Sequence, residues 1–331
     1  MQIEMMMDRE ELKRAVELWN RSHRNYPLRE GFVEQNLLAP YTGVEVELFS
    51  AHKDGDLAGM AALKWFSGDV SDHIDHNRGF ISLFTAEHDV RGRLLDFCLD
   101  FLGERGAEEI RLGGDPQNFL PGLPAEFGGD ELDFWQEAGF EAGEPVYDLK
   151  RTYGGGGYPL QFDFAGDQNH LRIVRCERNL RDDLLQFLER EFPGRWHYEA
   201  RNICRWPAGL RDYWLLLDTS ADEGEEFAAG DYAVLGFARV NRSDGYYRGP
   251  NLNWPGDSGL PEAGVGPLGL AASARGRGLS LPFLDGIFCR LYERGYREII
   301  IDWTELVEFY NKFGFDVRRR YIPLTLTRKN S

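Results

Sequence analysis

The stretch that decides the reading is Leu268-Gly-Leu-Ala-Ala-Ser-Ala-Arg-Gly-Arg-Gly-Leu-Ser-Leu-Pro-Phe-Leu284. It passes from a short apolar strand, expected over Gly266–Ala271, through a glycine-rich turn into a helix expected over Leu281–Arg294. Gly276 and Gly278 let the backbone curl and remove the Cβ atoms that would fend off a ligand. Successive N–H groups then point into one concavity. Ser280 is the expected N-cap, and Pro282 suits the first helical turn. The helix start adds a partial positive charge, and Arg275 and Arg277 add full ones. These features together make a cradle for a pyrophosphate. It is neither a Walker loop nor a Rossmann GxGxxG turn.

Downstream, Glu298–Trp303 reads as a strand and Glu305–Phe313 as a final helix, closing on Glu308-Phe-Tyr-Asn-Lys-Phe-Gly-Phe315. The order of strand, glycine turn, helix, strand and FY-rich helix resembles the GCN5-related N-acetyltransferase (GNAT) family. Arg275-Gly-Arg-Gly278-Leu-Ser280 matches its acyl-CoA loop (R/Q)xxGx(G/A), with Ser280 in the last small position. Residues 308–315 look like its FYxKxGF signature. The likeness is clearest across Ile173–Tyr321.

The resemblance implies direct transfer of an acetyl group from acetyl-CoA to the primary amine of a small molecule, with no metal and no covalent enzyme intermediate. It places the pantetheine arm against the backbone of Leu268 and Leu270. The pyrophosphate falls on Arg275, Gly276, Arg277, Gly278, Leu279 and Ser280. Tyr310 becomes the general acid that protonates the leaving thiolate. Asp302 and Glu305, at the end of the penultimate strand, are the first candidates for the base, and His197 is another. A non-catalytic acyl-CoA-binding or regulatory module would keep most of the same loop. It is the alternative, and a tRNA-dependent aminoacyl transferase is a third reading.

The rest of the chain repeats this plan. Leu57-Ala-Gly-Met-Ala-Ala62 parallels Val234-Leu-Gly-Phe-Ala-Arg239. Arg91-Gly-Arg93 parallels Arg275-Gly-Arg277, and Phe134-Trp-Gln-Glu-Ala-Gly-Phe140 parallels Phe309-Tyr-Asn-Lys-Phe-Gly-Phe315. Three matches in order argue for duplication of one fold. Four consecutive glycines, Gly154 to Gly157, mark the expected boundary. The expected division is residues 1–152, a linker at 153–165, and 166–331. Each half is expected as an α/β (α+β) domain with a mixed, mostly antiparallel sheet flanked by helices. The first is expected to be degenerate: Leu94 stands where the second glycine should be, Glu87 and Asp89 repel phosphate, and Trp135 replaces the tyrosine.

Composition agrees with a tandem of soluble domains. The 331 residues are 42% hydrophobic and 28% charged, ordinary for a globular protein. No run approaches a membrane span, and no secretory leader is legible at the N-terminus. Four scattered cysteines, Cys98, Cys176, Cys204 and Cys289, form no metal or disulfide pattern, which points to the cytoplasm. The net charge of -17 argues against nucleic acid as a partner. Residues 1–150 hold 30 acidic and 14 basic residues, whereas the remainder is nearly balanced. An acidic first half would steer a cationic amine. The aromatic loop 241–264, with Tyr246, Tyr247 and Trp254, is the expected stacking surface for that acceptor. A monomer or homodimer is expected.

Overall fold

The computed structural model describes all residues except 7, 69, 71–72, 165–169, 221–231, 246, 255–257 and 329–331. The chain forms two compact units. One comprises Met1–Tyr147, Asn253–Pro255 and Arg319–Ser331, and the other Asp148–Leu252 and Gly256–Arg318.

The first unit opens with β1 (Gln2–Met5), α1 (Arg9–Ser22) and α2 (Glu30–Val33). Asp8 caps α1 by accepting from the Glu11 N–H at 2.7 Å, and Leu12, Ala15, Leu18 and Trp19 turn one face of the helix inward. β2 (Val44–Lys53) and β3 (Asp56–Phe66) follow as a hairpin. Its two-residue turn, Asp54 and Gly55, has φ of 52° and 93°, the left-handed pair that an Asp-Gly sequence predicts. β4 (Arg78–Ala86), α3 (His88–Glu104) and β5 (Glu109–Leu112) complete a parallel crossover. Then come β6 (Leu123–Pro124), α4 (Gly129–Glu137), β7 (Glu141–Ala142) and β8 (Val146–Thr152).

The second unit continues with β9 (Leu171–Arg175), α5 (Arg181–Glu191), α6 (Arg195–Ile203), α7 (Pro207–Leu210) and β10 (Tyr213–Asp218). β11 (Ala233–Arg242) and β12 (Glu262–Leu270) precede α8 (Ser280–Glu293) and β13 (Glu298–Thr304). α9 (Val307–Asn311) and β14 (Asp316–Ile322) follow, and β15 (Leu324–Thr327), which falls in the first unit, ends the chain. α8 buries Phe283, Leu284, Ile287, Phe288 and Leu291, the three- and four-residue spacing of a helix laid on a sheet.

Two mixed sheets result, both mostly antiparallel. The first has seven strands in the order β1-β2-β3-β4-β5-β15-β7. In the second, β14-β8-β13-β12-β11-β10-β9 are successive neighbours. The units do not divide at the glycine run. β15 pairs with β5 over Leu324–Thr327 and with β7 at Leu324 and Thr325, so the last strand of the chain belongs to the first sheet. The glycine segment docks on the second unit instead: the Gln161 and Phe162 N–H groups donate to the buried Asp285 carboxylate at 2.7 and 2.6 Å, and the Tyr158 hydroxyl also bonds to it.

Candidate active site

β12 and β13 are parallel neighbours only where Glu262, Ala263 and Gly264 face Glu298, Ile299 and Ile300. Beyond that they part. Against β11, the register of β12 slips between Ala238 and Val240, so Gly266 and Pro267 bulge out opposite Arg239. Pro267 has no N–H to continue a ladder. From Val265 to Leu270, β12 is therefore paired with β11 alone, and the edge carrying Leu268 and Leu270 is open towards β13.

At the end of that edge lies the glycine turn. Gly276 and Gly278 have φ of 75° and 74°, and nothing lies within 4 Å of where a Cβ would stand on either. No hydrogen bond from the N–H groups of Gly276, Arg277, Gly278 or Ser280 reaches an acceptor among the described residues. A row of free donors at a helix start fits an anion, so the loop has the room and the donors for a pyrophosphate. Two details differ from the sequence expectation. Leu279, not Ser280, occupies the cap position, without a side-chain cap bond, because its buried side chain anchors the turn in the core. Arg275 Nε donates to the Leu270 carbonyl at 3.1 Å, which ties the turn to its strand. Arg277 is exposed.

Asp302 and Tyr310 lie at the far ends of β13 and α9. The Asp302 carboxylate accepts from Asn251 Nδ2 at 2.9 Å. Burial pushes it up to about 7, Asp148 adds to the rise, and Arg195 and the Asn251 amide oppose it. A Cβ on Gly266 would stand 3.2 Å from Asp302 Oδ1, which places the carboxylate against the β12 bulge. The next residue, Trp303, has φ of 46°. It is held there by its N–H donating to Asp148 Oδ1 at 3.3 Å and by the Arg195 guanidinium 4.5 Å above its ring. Tyr310 is buried against Phe309 and Phe315. Its hydroxyl makes no hydrogen bond among the described residues, and burial, reinforced by the Asp302 charge, raises its pKa.

Glu305 is exposed, in contrast to Asp302. His197 is half-buried on α6, and burial lowers its pKa. Trp254 corrects the expectation of a stacking surface. It is 3% exposed, enclosed by the rings of Tyr26, Phe32 and Phe119 at 5.1, 5.4 and 5.9 Å, and belongs to the first unit. Its neighbour Asn253 donates to the carbonyls of Asn118 and Phe119 at 2.9 and 3.0 Å. An aromatic flanked by such partners is core. Tyr247 is half-buried, with the Arg239 guanidinium 5.2 Å from its ring, and Tyr246 lies outside the described residues. Asn251, Asp148 and Arg195 escaped sequence reasoning. The only signal was the asparagine and glycine content of residues 241–264.

The first unit repeats the parting of strands without the cradle. β4 pairs with β5 only over Arg78–Ile81. α3 starts at His88, directly after β4, and the N–H groups of Val90 and Arg91 both donate to Glu87 O at 3.0 Å. Arg91-Gly-Arg93 thus lies inside a helix, and no turn corresponds to residues 275–278. Trp135, in the place of Tyr310, is 2% exposed and packed on Phe84, Phe134 and Phe140.

No protein-family model and no curated protein matches the chain. Solved structures do. A GNAT glucosamine N-acetyltransferase region of a fungal multi-domain GH3 β-N-acetylglucosaminidase aligns over 98% of this chain at a TM-score of 0.78 and 20% identity. The alignment spans 38% of the fungal protein. A tandem GNAT protein from the clavulanic acid biosynthesis pathway aligns over all of both chains, at 0.64 and 10% identity. A GNAT from Sphaerobacter thermophilus aligns over 99% of this chain and 97% of its own, at 0.62 and 14% identity. Together with the parted strands in both halves, these likenesses show that the chain has the tandem fold of the GCN5-related N-acetyltransferases.

Proposed function

We propose that the protein is an acetyl-CoA-dependent N-acetyltransferase acting on a primary amine of a small molecule, with chemistry confined to the second unit. The observation that carries this reading is the row of N–H groups from Gly276 to Gly278, without a partner among the described residues, at one end of an open strand edge, with Asp302 and Tyr310 on the elements that follow. In the reaction, Asp302 takes a proton from the ammonium form of the acceptor, directly or through water. The amine nitrogen attacks the thioester carbonyl, an N–C bond forms and the C–S bond breaks. The Tyr310 hydroxyl gives its proton to the departing thiolate, and the second proton of the attacking nitrogen, released as the tetrahedral adduct collapses to the amide, returns to the phenolate through water. A carboxyl ionising near 7 is matched to this task at neutral pH. Leu268 and Leu270 offer backbone groups to the pantetheine arm, as an added strand would meet them.

The acceptor is proposed to be an amino sugar. The name of the fungal neighbour, a glucosamine N-acetyltransferase region, motivates glucosamine as the first compound to test. The paired carboxylates Asp148 and Asp302 suit a cationic amine. The test is calorimetric titration with acetyl-CoA, followed by release of free CoA thiol in the presence of glucosamine, polyamines, aminoglycosides and amino acids. One molecule of acetyl-CoA per chain and turnover with an amine are expected. Binding without turnover on any amine identifies the acyl-CoA-binding module instead. Two equivalent sites would contradict the assignment of the first unit as degenerate.

A further inference from the structure

Asn241, Asn251 and Asp302 stand in one hydrogen-bonded row. Asn241 Nδ2 donates to Asn251 Oδ1 at 3.0 Å, and Asn251 Nδ2 donates to Asp302 Oδ1 at 2.9 Å. Chemistry fixes the direction of the row. A carboxylate only accepts, so Asn251 must turn its NH2 towards Asp302. Its carbonyl oxygen is then left for Asn241, which must present its own NH2. The backbone is shaped around these groups. A Cβ on Gly264 would fall 1.9 Å from Asn251 Oδ1, and one on Gly249 would fall 2.0 Å from the Asn241 amide. Both distances exclude any side chain, so these glycines make room for the two asparagines. Asn241 is wholly buried and Asn251 is 4% exposed. Burying two amides is costly unless they are hydrogen-bonded, and here the bonds lead to the proposed base.

We propose that Asn251, held by Asn241, is a positioning residue for Asp302: it occupies Oδ1, fixes the carboxylate in one orientation and leaves Oδ2 as the basic atom. This rests on Asp302 being the base in the reaction above. The groups facing the Asp302 carboxylate are Asp148 from β8, Arg195 from α6, Tyr310 from α9, the Asn251 amide and its own backbone N–H. Asp148 favours the protonated acid and Arg195 the carboxylate. Arg195 is shared with Glu199, 2.7 Å away, and with the Trp303 ring. The Asn251 amide is the side-chain donor that bonds to Asp302 directly, and it stabilises the ionised form.

The test follows the Asp302 carboxyl carbon by 13C NMR across pH in the full chain, the signal being assigned by its loss in Asp302→Asn. In Asn251→Ala the midpoint is expected to rise by about one pH unit, the order of one charged hydrogen bond. Asn251→Asp has the same shape and keeps the fold if the alanine variant does not. It puts a second carboxylate beside the first, so its rise should be larger. The acidic limb of the kcat/KM profile should move with the midpoint, while acetyl-CoA affinity stays unchanged. A purely structural asparagine would lower the melting temperature and leave the midpoint in place, and an unmoved midpoint in both variants overturns the proposal. Because the NMR readout needs no acceptor, a moved midpoint in a protein that acetylates no amine leaves the row standing and removes the acetyltransferase reading.

Discussion

Asp302→Asn should make the protein more stable at alkaline pH while stopping the chemistry. The folded carboxyl ionises near 7, against an ordinary 3.8. Below about pH 4 both folded and unfolded chains hold the proton, and burial costs nothing through ionisation. Between about 4 and 7 the unfolded chain has released its proton and the folded chain has not, so stability falls as pH rises. Above 7 the whole cost persists. Each tenfold displacement of the ionisation constant is about 1.4 kcal/mol, which gives about 4 kcal/mol as an upper value and about 2–4 kcal/mol after solvent access to the half-buried side chain. The replacement is isosteric, and its amide oxygen still accepts from Asn251. Urea unfolding of both proteins at pH 4 and pH 8.5 is the assay. A gain at pH 8.5 that shrinks below about 1 kcal/mol at pH 4 is expected. Equal effects at the two pH values, or a loss at pH 8.5, would refute the burial argument. Turnover of the stable variant should fall by on the order of 10²–10⁴.

Gly278→Val should abolish acetyl-CoA binding by calorimetry without unfolding the chain, because the left-handed turn is strained by a β-branched residue and the free space at its Cβ is where a phosphate would sit. Tyr310→Phe should keep acetyl-CoA affinity and lower kcat by on the order of 10²–10⁴; full turnover on the true acceptor would remove the tyrosine from the mechanism. Trp254→Ala should cost about 3–5 kcal/mol in chemical denaturation, as for other large aromatics removed from a core, and leave the KM of the acceptor unchanged. A raised KM with intact stability would restore the tryptophan to the acceptor site. Ending the chain after Pro323 removes the strand between β5 and β7 and should strip the first sheet of cooperative unfolding, seen as loss of its amide-exchange protection.

The second unit was more legible than the first because its signals are local. The glycine turn, the helix behind it and the FY-rich helix each lie within a few residues, where positive φ and apolar spacing act directly. The Asp-Gly hairpin was legible for the same reason. The failures were non-local. Nothing in Leu324-Thr-Leu-Thr327 says that it pairs with Glu109–Leu112, since alternating short strands fit any open sheet edge. Trp254 reads as exposed in a loop of Gly, Pro and Asn, and the rings that cover it are distant in sequence. α6 was missed because its inward face carries Glu199 and Asn202; Glu199 is tolerated there through Arg195 at 2.7 Å and Arg239 at 3.6 Å. Asn251 carries no motif at all. Its meaning is set by the carboxylate it meets.

The two units show how little separates a cradle from a plain helix start. Both have a strand pair that parts after a short parallel stretch, at Ile81 and Leu112 in one and at Gly264 and Ile300 in the other. What differs is the length of chain between the parted strand and its helix. In the second unit residues 271–279 intervene and curl through two left-handed glycines, so that the N–H groups of Gly276, Arg277 and Gly278 find no partner among the described residues. In the first unit β4 ends at Ala86 and α3 begins at His88. The Val90 and Arg91 N–H groups donate to the Glu87 carbonyl, and the Arg91 side chain turns aside to Glu131 at 3.1 Å and to the Phe134 ring. Asp89 in the first turn then satisfies the helix dipole that a phosphate would otherwise meet. Trp135, buried among Phe84, Phe134 and Phe140, fills the position of the tyrosine. A turn like that of residues 275–278 would need an inserted segment in the first unit, and substituting a glycine for Leu94 would only weaken α3, where that leucine is wholly buried.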